Sequence, residues 1–461
     1  MKLTIIGAGP GGYVAAIKAA QLGAEVTVVE ESAVGGTCLN SGCIPTKTII
    51  ASTDALRKTK TLSDFGIELA SEAIPNLSKI IERKNKVVSN MAKGILALFK
   101  NRSIKLVEGK GSIISPTVVR VEKKDGSTEE VHTDKIIVAT GSRPAEIPLF
   151  PFNGKTILSS TDVLSLSEIP KSLIIIGAGV IGCEFACIFS ELGADVTMLE
   201  MLPRAVSTED SEISEALEKE LKKKKIKLMT SAKIIDCITF NDSVKITLDN
   251  GKEISGERML VSIGRALNTE NLGLENAGID KGFKGEIKVN HQMETNVPGI
   301  YAVGDVVGGM LLAHVASKEG VVAASNACGI PVDMDYSVVP AAIFTSPEIG
   351  SVGLREHQAL ERGISINTGR FQFRGLGKAH AIGEISGFVK IIADAETDEV
   401  LGVHIIGPNA SDLVHEGALA IKSGLTASEL GDMIHAHPTL SEALMEAAED
   451  VHGEAIHALK K

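Results

Sequence analysis

Ile5–Glu30 reads IIGAGPGGYVAAIKAAQLGAEVTVVE, and Ile175–Glu200 reads IIGAGVIGCEFACIFSELGADVTMLE. The two stretches are offset by 170 residues and agree at about half of their positions. Each opens on a short apolar run, turns at glycines and continues for the length of a helix. Each then closes with a second apolar run and an acid: Val26–Val29 before Glu30, and Val196–Leu199 before Glu200. That order is a βαβ unit, so two parallel sheets are expected. A repeat at this distance is a duplicated domain; a solenoid would repeat every 20–50 residues or so.

The glycines fall in the pattern G-x-G-x-x-G, at Gly7, Gly9 and Gly12 and again at Gly177, Gly179 and Gly182. The first allows a tight turn, the second lets backbone approach a pyrophosphate, and the third lets the helix pack on its strand. The pyrophosphate then rests on the helix N-terminus. Glu30 and Glu200 each stand 23 residues after the first glycine, placed to accept hydrogen bonds from an adenosine ribose. Glycines that serve only close packing are the alternative. The strand, glycine, helix and acid order in both copies favours two bound nucleotides.

Two further runs close on glycine in the same way: Ile136-Ile137-Val138-Ala139-Thr140-Gly141, followed by Ser142-Arg143-Pro144, and Met259-Leu260-Val261-Ser262-Ile263-Gly264-Arg265. They read as the chain returning at the edge of a nucleotide-binding fold, and domain boundaries are placed just after each. Lys79–Lys100 reads as a helix with a solvated charged face. The lysines at 222–225 suit the C-terminal end of a helix over Ser211–Leu221, where cations are favoured.

Composition limits the partners. Lys and Arg number 47 against 58 Asp and Glu, a net charge of −11, opposite to the basic footprint of nucleic-acid binders. No apolar run approaches the roughly 20 residues that span a bilayer, so no membrane segment is expected. The first strand follows directly on Met1-Lys2, leaving no stretch for a cleavable signal, and the cytoplasm is the expected compartment. Six cysteines in 461 residues are too few for a secreted disulfide scaffold.

One cysteine pair is different. Gly35-Gly36-Thr37-Cys38-Leu39-Asn40-Ser41-Gly42-Cys43-Ile44-Pro45-Thr46-Lys47 follows the first ribose acid. Two thiols with four residues between them can close a small disulfide ring, whereas zinc needs two more ligands that this neighbourhood lacks. Two unrelated core cysteines are the other reading. A redox disulfide beside a nucleotide site is favoured, and no metal is expected. Cys183 and Cys187, on one helical face, read as core packing, as do Cys237 and Cys328.

GGTCLNSGCIPTK, the two glycine motifs, ATGSRP, YAVGDV and HAHPTLSE together resemble the pyridine nucleotide-disulfide oxidoreductase family, and within it the dihydrolipoyl dehydrogenase branch, over nearly the whole chain. The resemblance implies an α/β protein with two Rossmann-like dinucleotide-binding domains, for FAD and NAD, and a C-terminal α+β dimerisation domain. FAD would occupy residues 1–145 and 267–338, NAD residues 146–266, and the dimer interface residues 339–461. Gly7, Gly9, Gly12, Glu30, Thr140, Gly141 and Asp305 would then contact FAD, and the helix starting near Ala313 would face the flavin. His314 is read as structural. Gly177, Gly179, Gly182, Glu200 and Gly264 would contact NAD. Glu200 favours NAD over NADP, because a carboxylate pairs with a 2′-hydroxyl and repels a 2′-phosphate; Arg204, close behind it, is expected at the surface. Lys47 and Glu184 match a pair that relatives place beside the flavin.

His437 would be the acid-base partner of the disulfide, oriented by Glu442, with His435 structural. Because relatives use this motif across subunits, a homodimer is implied. The implied reaction oxidises dihydrolipoyl groups, carried by a protein of a 2-oxoacid dehydrogenase or glycine cleavage complex, and reduces NAD. A glutathione-type disulfide reductase and a non-catalytic NADH-binding subunit are the alternatives. Metal-ion reductases of the family add cysteines near the C-terminus, and Lys460-Lys461 closes this sequence with none. Two departures stand out: Ser41 where Arg is common, and Leu267 where Pro is usual in Gly264-Arg265-Ala266-Leu267-Asn268-Thr269, which puts local turn rigidity in doubt.

Overall fold

The computed structural model describes residues 1–459; Lys460 and Lys461 lie outside the described residues. The chain divides into two units. The first comprises Met1–Ile147, Ser159–Glu168 and Gly264–Asp335, and the second Pro148–Leu158, Ile169–Ile263 and Tyr336–Lys461.

The first unit is built on a parallel sheet whose strands run in the order Ile300–Ala302, Lys135–Val138, Lys2–Ile6, Glu25–Glu30, Lys105–Glu108. Its central register runs from Lys2↔Glu25 to Ile6↔Val29 on one side and Leu3↔Lys135 to Ile6↔Val138 on the other. Leu3, Ile5, Val28, Ile136, Ile137 and Val138 are all buried, as continuous apolar strands must be when both faces are covered. Helix Pro10–Gln21 packs on helix Ala313–Ala327 through glycine: a Cβ at Gly320 would run into the Gly11 carbonyl. A three-stranded antiparallel sheet (Lys110–Ser115, Val118–Glu122, Thr128–His132) and a ribbon of Ser142–Pro144 with Arg265–Leu267 complete the strands.

The second unit repeats the theme, with strands Lys227–Met229, Asp195–Leu199, Ser172–Ile176, Arg258–Val261 and Ile157–Leu158 in parallel order. Its antiparallel sheet of Ala341–Ile343, Glu348–Gly353, Val400–Gly407, Phe388–Asp394 and Ile366–Gln372 carries helices Ala410–Ser423 and Glu442–Asp450. The core there joins Val389, Ile391, Val403 and Ile405 of the sheet to Val414, Leu444 and Ala447 of the helices. Among the described residues no helix is long and apolar enough to cross a membrane.

The expected helices form, with ends set by their caps. Lys79–Lys100 extends to Leu77–Asn101 because the Asn76 side chain accepts the Lys79 N–H at 3.0 Å. The Ser211 helix, capped by Asp210, continues to Lys223. Two expectations need correction. Cys237 and Cys328 are half-exposed, because one lies on a strand at the edge of a three-stranded sheet and the other just past a helix end. Arg204 is also half-buried, its guanidinium donating to the carbonyls of Ser207 and Glu209 at 3.1 Å each.

Lys390, in the strand Phe388–Asp394, is fully buried. It ends in a charge cluster. Its Nζ meets Asp210 Oδ1 at 3.1 Å, Glu212 Oε1 at 2.7 Å and Glu356 Oε2 at 2.5 Å. Arg370 pairs with Glu212, and Arg355 with Glu209 at 3.4 Å. Burial drives the Lys390 ammonium toward neutrality, but its hydrogen bonds to Glu212 and Glu356 and the Asp210 charge more than offset that and hold its pKa above the ordinary value. Burial likewise pushes the Asp210 carboxyl up, but the Lys390 charge together with the hydrogen bonds from Lys390 and the Glu212 N–H outweighs it, so the net direction is down. His404 beside them, fully buried, is driven down to about 4 by desolvation and stays neutral.

Candidate active site

The two glycine loops are close to superimposable in their chemistry. Gly7 and Gly177 have φ of +102° and +96°, where a side chain is strained, and a Cβ would strike the carbonyl oxygens of Ala139 and Ser262. A Cβ at Gly12 or Gly182 would strike the carbonyl of Gly7 or Gly177, so the third glycine is needed for packing. Glu30 accepts the Ala8 N–H at 2.7 Å and the Ser32 N–H at 2.8 Å; Glu200 accepts Ala178 and Leu202 at the same two distances. Each carboxylate is thereby fixed in place, with lone pairs left for a ribose.

Gly9 and Gly179 are different. A Cβ at Gly9 would meet nothing nearer than the Gly36 Cα at 3.8 Å, and one at Gly179 nothing within 4 Å. The protein itself does not require glycine there; a pyrophosphate lying on the loop would. Helices Pro10–Gln21 and Val180–Glu191 also start without a side-chain cap or an acid in the first turn, leaving their N–H groups for an anion. The residues therefore fit the two dinucleotides.

The cysteines sit directly above the first loop. Helix Gly36–Ser41 begins where Gly36, with φ +56°, packs so closely on Gly9 that a Cβ would come within 2.6 Å of its Cα. Asn40 braces the helix by donating to the carbonyls of Val34 and Gly36 at 3.0 and 2.9 Å. The chain breaks at Gly42 and starts a second helix, Cys43–Thr59, whose Thr46 hydroxyl donates back to the Gly42 carbonyl at 2.7 Å. The turn brings the two cysteine sulfurs together, Cys38 half-buried and Cys43 exposed. The Cys38 thiol is pushed well above its ordinary pKa, first by its hydrogen bond with Cys43, then by burial and the Cys43 charge, with Lys47 acting against them. The two thiols of such a pair titrate as a unit, losing their protons in separate steps. Lys47, half-buried, lies one turn along the same helix.

The ATGSRP segment and the return strand meet in one unit. Thr140 donates to the Asn268 carbonyl at 2.8 Å, Asn268 donates back to Thr140 at 2.9 Å, and the Gly141 carbonyl accepts the Asn268 N–H at 2.9 Å. The Gly264 carbonyl accepts the Ala145 N–H at 3.0 Å. Asp305 accepts a hydrogen bond from Ser142 and is ion-paired to Arg265 at 3.5 Å. Neither Ser142 nor Arg265 is singled out by sequence, although both sit in glycine-flanked motifs that sequence does single out. The helix beginning at Ala313 has no side-chain cap, which leaves its N–H groups open to a negatively charged ring.

In the second unit, Glu184 is buried and accepts the Phe344 N–H at 3.0 Å. His437 Nδ1 bonds Glu442 Oε1 at 2.8 Å, and the other carboxylate oxygen accepts the Thr439 N–H at 2.8 Å. The His437 ring is 74% exposed, so Nε2 faces outward with the ring orientation already set. Burial raises the Glu442 carboxyl, but the His437 hydrogen bond, the Thr439 N–H and the charges of His437 and His435 together hold it below its ordinary pKa. His435 is the structural histidine: its side chain is 4% exposed, with Nε2 2.7 Å from Glu416 and Nδ1 2.8 Å from the Met433 carbonyl.

Residues 1–320 match the family described as pyridine nucleotide-disulphide oxidoreductase, and residues 339–448 match that family's dimerisation domain. The chain belongs to the pyridine nucleotide-disulphide oxidoreductases. The oxidoreductase is 44% identical over 469 residues to the dihydrolipoyl dehydrogenase of Bacillus subtilis, covering 99% of this chain and 98% of that one. To dihydrolipoyl dehydrogenase 1, mitochondrial, of Arabidopsis thaliana it is 42% identical, covering 99% and 91%. Its fold matches the crystal structure of LpdA from Mycobacterium tuberculosis with a TM-score of 0.91 at 30% identity, covering 97% and 99% of the two chains. It also matches the HOCl-induced flavoprotein disulfide reductase RclA from Escherichia coli with a TM-score of 0.87 at 26% identity, covering the same shares. FAD and NAD are the oxidoreductase's cofactors, and its dimerisation domain supports a homodimer.

Proposed function

We propose that the protein is a dihydrolipoyl dehydrogenase, oxidising lipoyl-bound dithiols on a carrier protein of a 2-oxoacid dehydrogenase or glycine cleavage complex in the cytoplasm. Residues 1–145 and 267–338 are assigned to FAD, 146–266 to NAD and 339–461 to the dimer interface. The observation that carries the reading is the Cys38 and Cys43 pair, held by Gly36 against the nucleotide loop at Gly9.

The chemistry of these residues is thiol–disulfide exchange. A dihydrolipoyl thiolate attacks the Cys38 sulfur of the oxidised pair; the Cys38–Cys43 bond breaks and Cys43 leaves as thiolate. The second substrate sulfur attacks the first, closing the lipoyl disulfide and releasing Cys38. Two electrons have passed from substrate to cysteines, and His437 Nε2 takes the substrate proton while Glu442 steadies the imidazolium through Nδ1. FAD bound at these residues would supply the acceptor for that electron pair, and NAD the final hydride acceptor. Gly7, Gly9, Gly12, Glu30, Lys47, Thr140, Gly141, Asp305 and Ala313 are assigned to FAD; Gly177, Gly179, Gly182, Glu184, Glu200 and Gly264 to NAD.

The test is the initial rate of NAD reduction by dihydrolipoamide beside NADPH oxidation by glutathione disulfide. Fast NAD reduction alone supports the reading. Turnover of the second pair alone favours a glutathione-type reductase, and NADH binding without thiol turnover favours a non-catalytic subunit.

A further inference from the structure

Asp305 is held from one side only. Ser142 Oγ donates to its Oδ2, and Arg265 Nε lies 3.5 Å from the same oxygen. Arg265 also grips Ser142 twice, Nε donating to the hydroxyl at 2.6 Å and a terminal nitrogen to the Ser142 carbonyl at 2.7 Å. Oδ1 of Asp305 has no protein partner among the described residues, and it is not sealed in the core. The side chains of Arg265 and Asp305 are only 15% and 22% exposed, so the contacts are not those of a freely solvated surface pair.

Rigidity comes from the backbone. Ser142 and Arg265 stand in the two strands of one ribbon, paired Pro144↔Arg265, Arg143↔Ala266 and Ser142↔Leu267. A guanidinium can hold a hydroxyl and a carbonyl of the same residue at once; a lysine ammonium lacks that planar fork.

We propose that Arg265 is a positioning residue for the flavin site: through Ser142 it locks the Asp305 carboxylate with Oδ2 neutralised and Oδ1 presented to the FAD hydroxyls. The proposal rests on the reading of Asp305 as an FAD ligand. It also accounts for a carboxylate beside a cofactor that carries its own diphosphate charge, since an unpaired anion there would repel it. Arg265 itself touches neither substrate nor reacting atoms.

The experiment compares FAD release from purified holoenzymes, followed by flavin fluorescence on dilution, for Arg265→Gln, Ser142→Ala, Asp305→Asn and the two double variants with Asp305→Asn. Losing a charge-assisted hydrogen bond weakens binding by about tenfold, so Arg265→Gln is expected to raise the FAD dissociation constant by about that factor. Ser142→Ala, a smaller change to the ribbon, is expected to act in the same direction. In the Asp305→Asn background neither adds more than about twofold, because the carboxylate they serve is gone. Equal weakening in both backgrounds would mean that the two residues only hold the ribbon together, and the proposal falls. If Asp305→Asn weakens FAD while Arg265→Gln and Ser142→Ala do not, the proposal alone falls. If Asp305→Asn keeps the wild-type affinity, the reading of Asp305 falls and takes the proposal with it.

Discussion

Replacing Lys390 by Met keeps most of the buried side-chain volume and removes the charge. In the native protein the ammonium is fully buried and lies within 3.2 Å of oxygens from Asp210, Glu212 and Glu356. Without it these carboxylates face one another, and Arg370 on Glu212 offsets only part of the charge. Carboxylates bridged by one ammonium lie on the order of 6 Å apart, where like charges repel by about 3 kcal/mol at an effective dielectric near 20. Removing one partner of a buried ion cluster costs about 3–5 kcal/mol. For a cooperative unit of this size each kcal/mol is worth about 2–4 °C, so Lys390→Met should melt about 6–20 °C below wild type in calorimetry at pH 7.5. The gap has a predicted pH dependence. Lys390, raised in the fold, contributes fully below its unfolded pKa and loses that share as pH rises through the folded value; Asp210, lowered, loses its share as pH falls through its folded value. The wild type therefore holds a plateau through neutrality. The variant's unpaired carboxylates take up protons more easily, so its deficit narrows toward pH 5. A deficit below 2 °C at pH 7.5, or one that stays constant down to pH 5, would refute the reasoning.

Gly179→Ala is expected to leave thermal unfolding within about 1 °C of wild type, since its Cβ meets nothing within 4 Å, while NAD binding measured by titration weakens at least tenfold. Cys43→Ser should cut NAD reduction by dihydrolipoamide by about a thousandfold or more, because the exchange loses its leaving sulfur; a rate within tenfold of wild type would remove the pair from the mechanism. Glu442→Gln should lower turnover by about 10²-fold. Its stability deficit should be present at neutral pH and fade as pH falls below the ordinary glutamate range and through the lowered folded pKa. Leu267→Pro should be neutral or stabilising by up to about 1 kcal/mol in denaturant unfolding. Asn268 donates to Gly141 and Ala145 to Gly264, which puts Leu267 and Ser142 in a non-hydrogen-bonded pair and leaves the Leu267 N–H out of the ladder.

The nucleotide loops are legible in sequence because their geometry is local: Gly7, Gly12 and Glu30 act within a span of 24 residues, and the second copy repeats the spacing. The His437 and Glu442 pair is equally short-range, five residues joined by one hydrogen bond. What sequence hides is assembled from distant pieces. Lys390 is a lysine, a residue type usually found at the surface, whereas its strand is covered on both faces and the lysine meets carboxylates from two helix starts, near 210 and at 356. The Arg265, Ser142 and Asp305 triad is hidden for the same reason, its members being more than 120 residues apart from Ser142. Cys237 shows the opposite error: residue type suggests the core, but a strand at a sheet edge leaves it half-exposed.

The strand Ile300–Ala302 completes the first sheet beside Lys135–Val138, although about 160 residues separate them. On a ribosome adding roughly 5–20 residues per second, the 135–138 strand waits about 8–30 s for its neighbour. Meanwhile its open apolar edge is a template for pairing with any other chain. The intervening stretch, with its own parallel sheet, emerges in that interval. Birth of the protein is thus ordered back to front: the segment inserted in the middle is complete while the amino-terminal half is still unfinished. A nascent chain arrested before residue 300 is the form most in need of a chaperone.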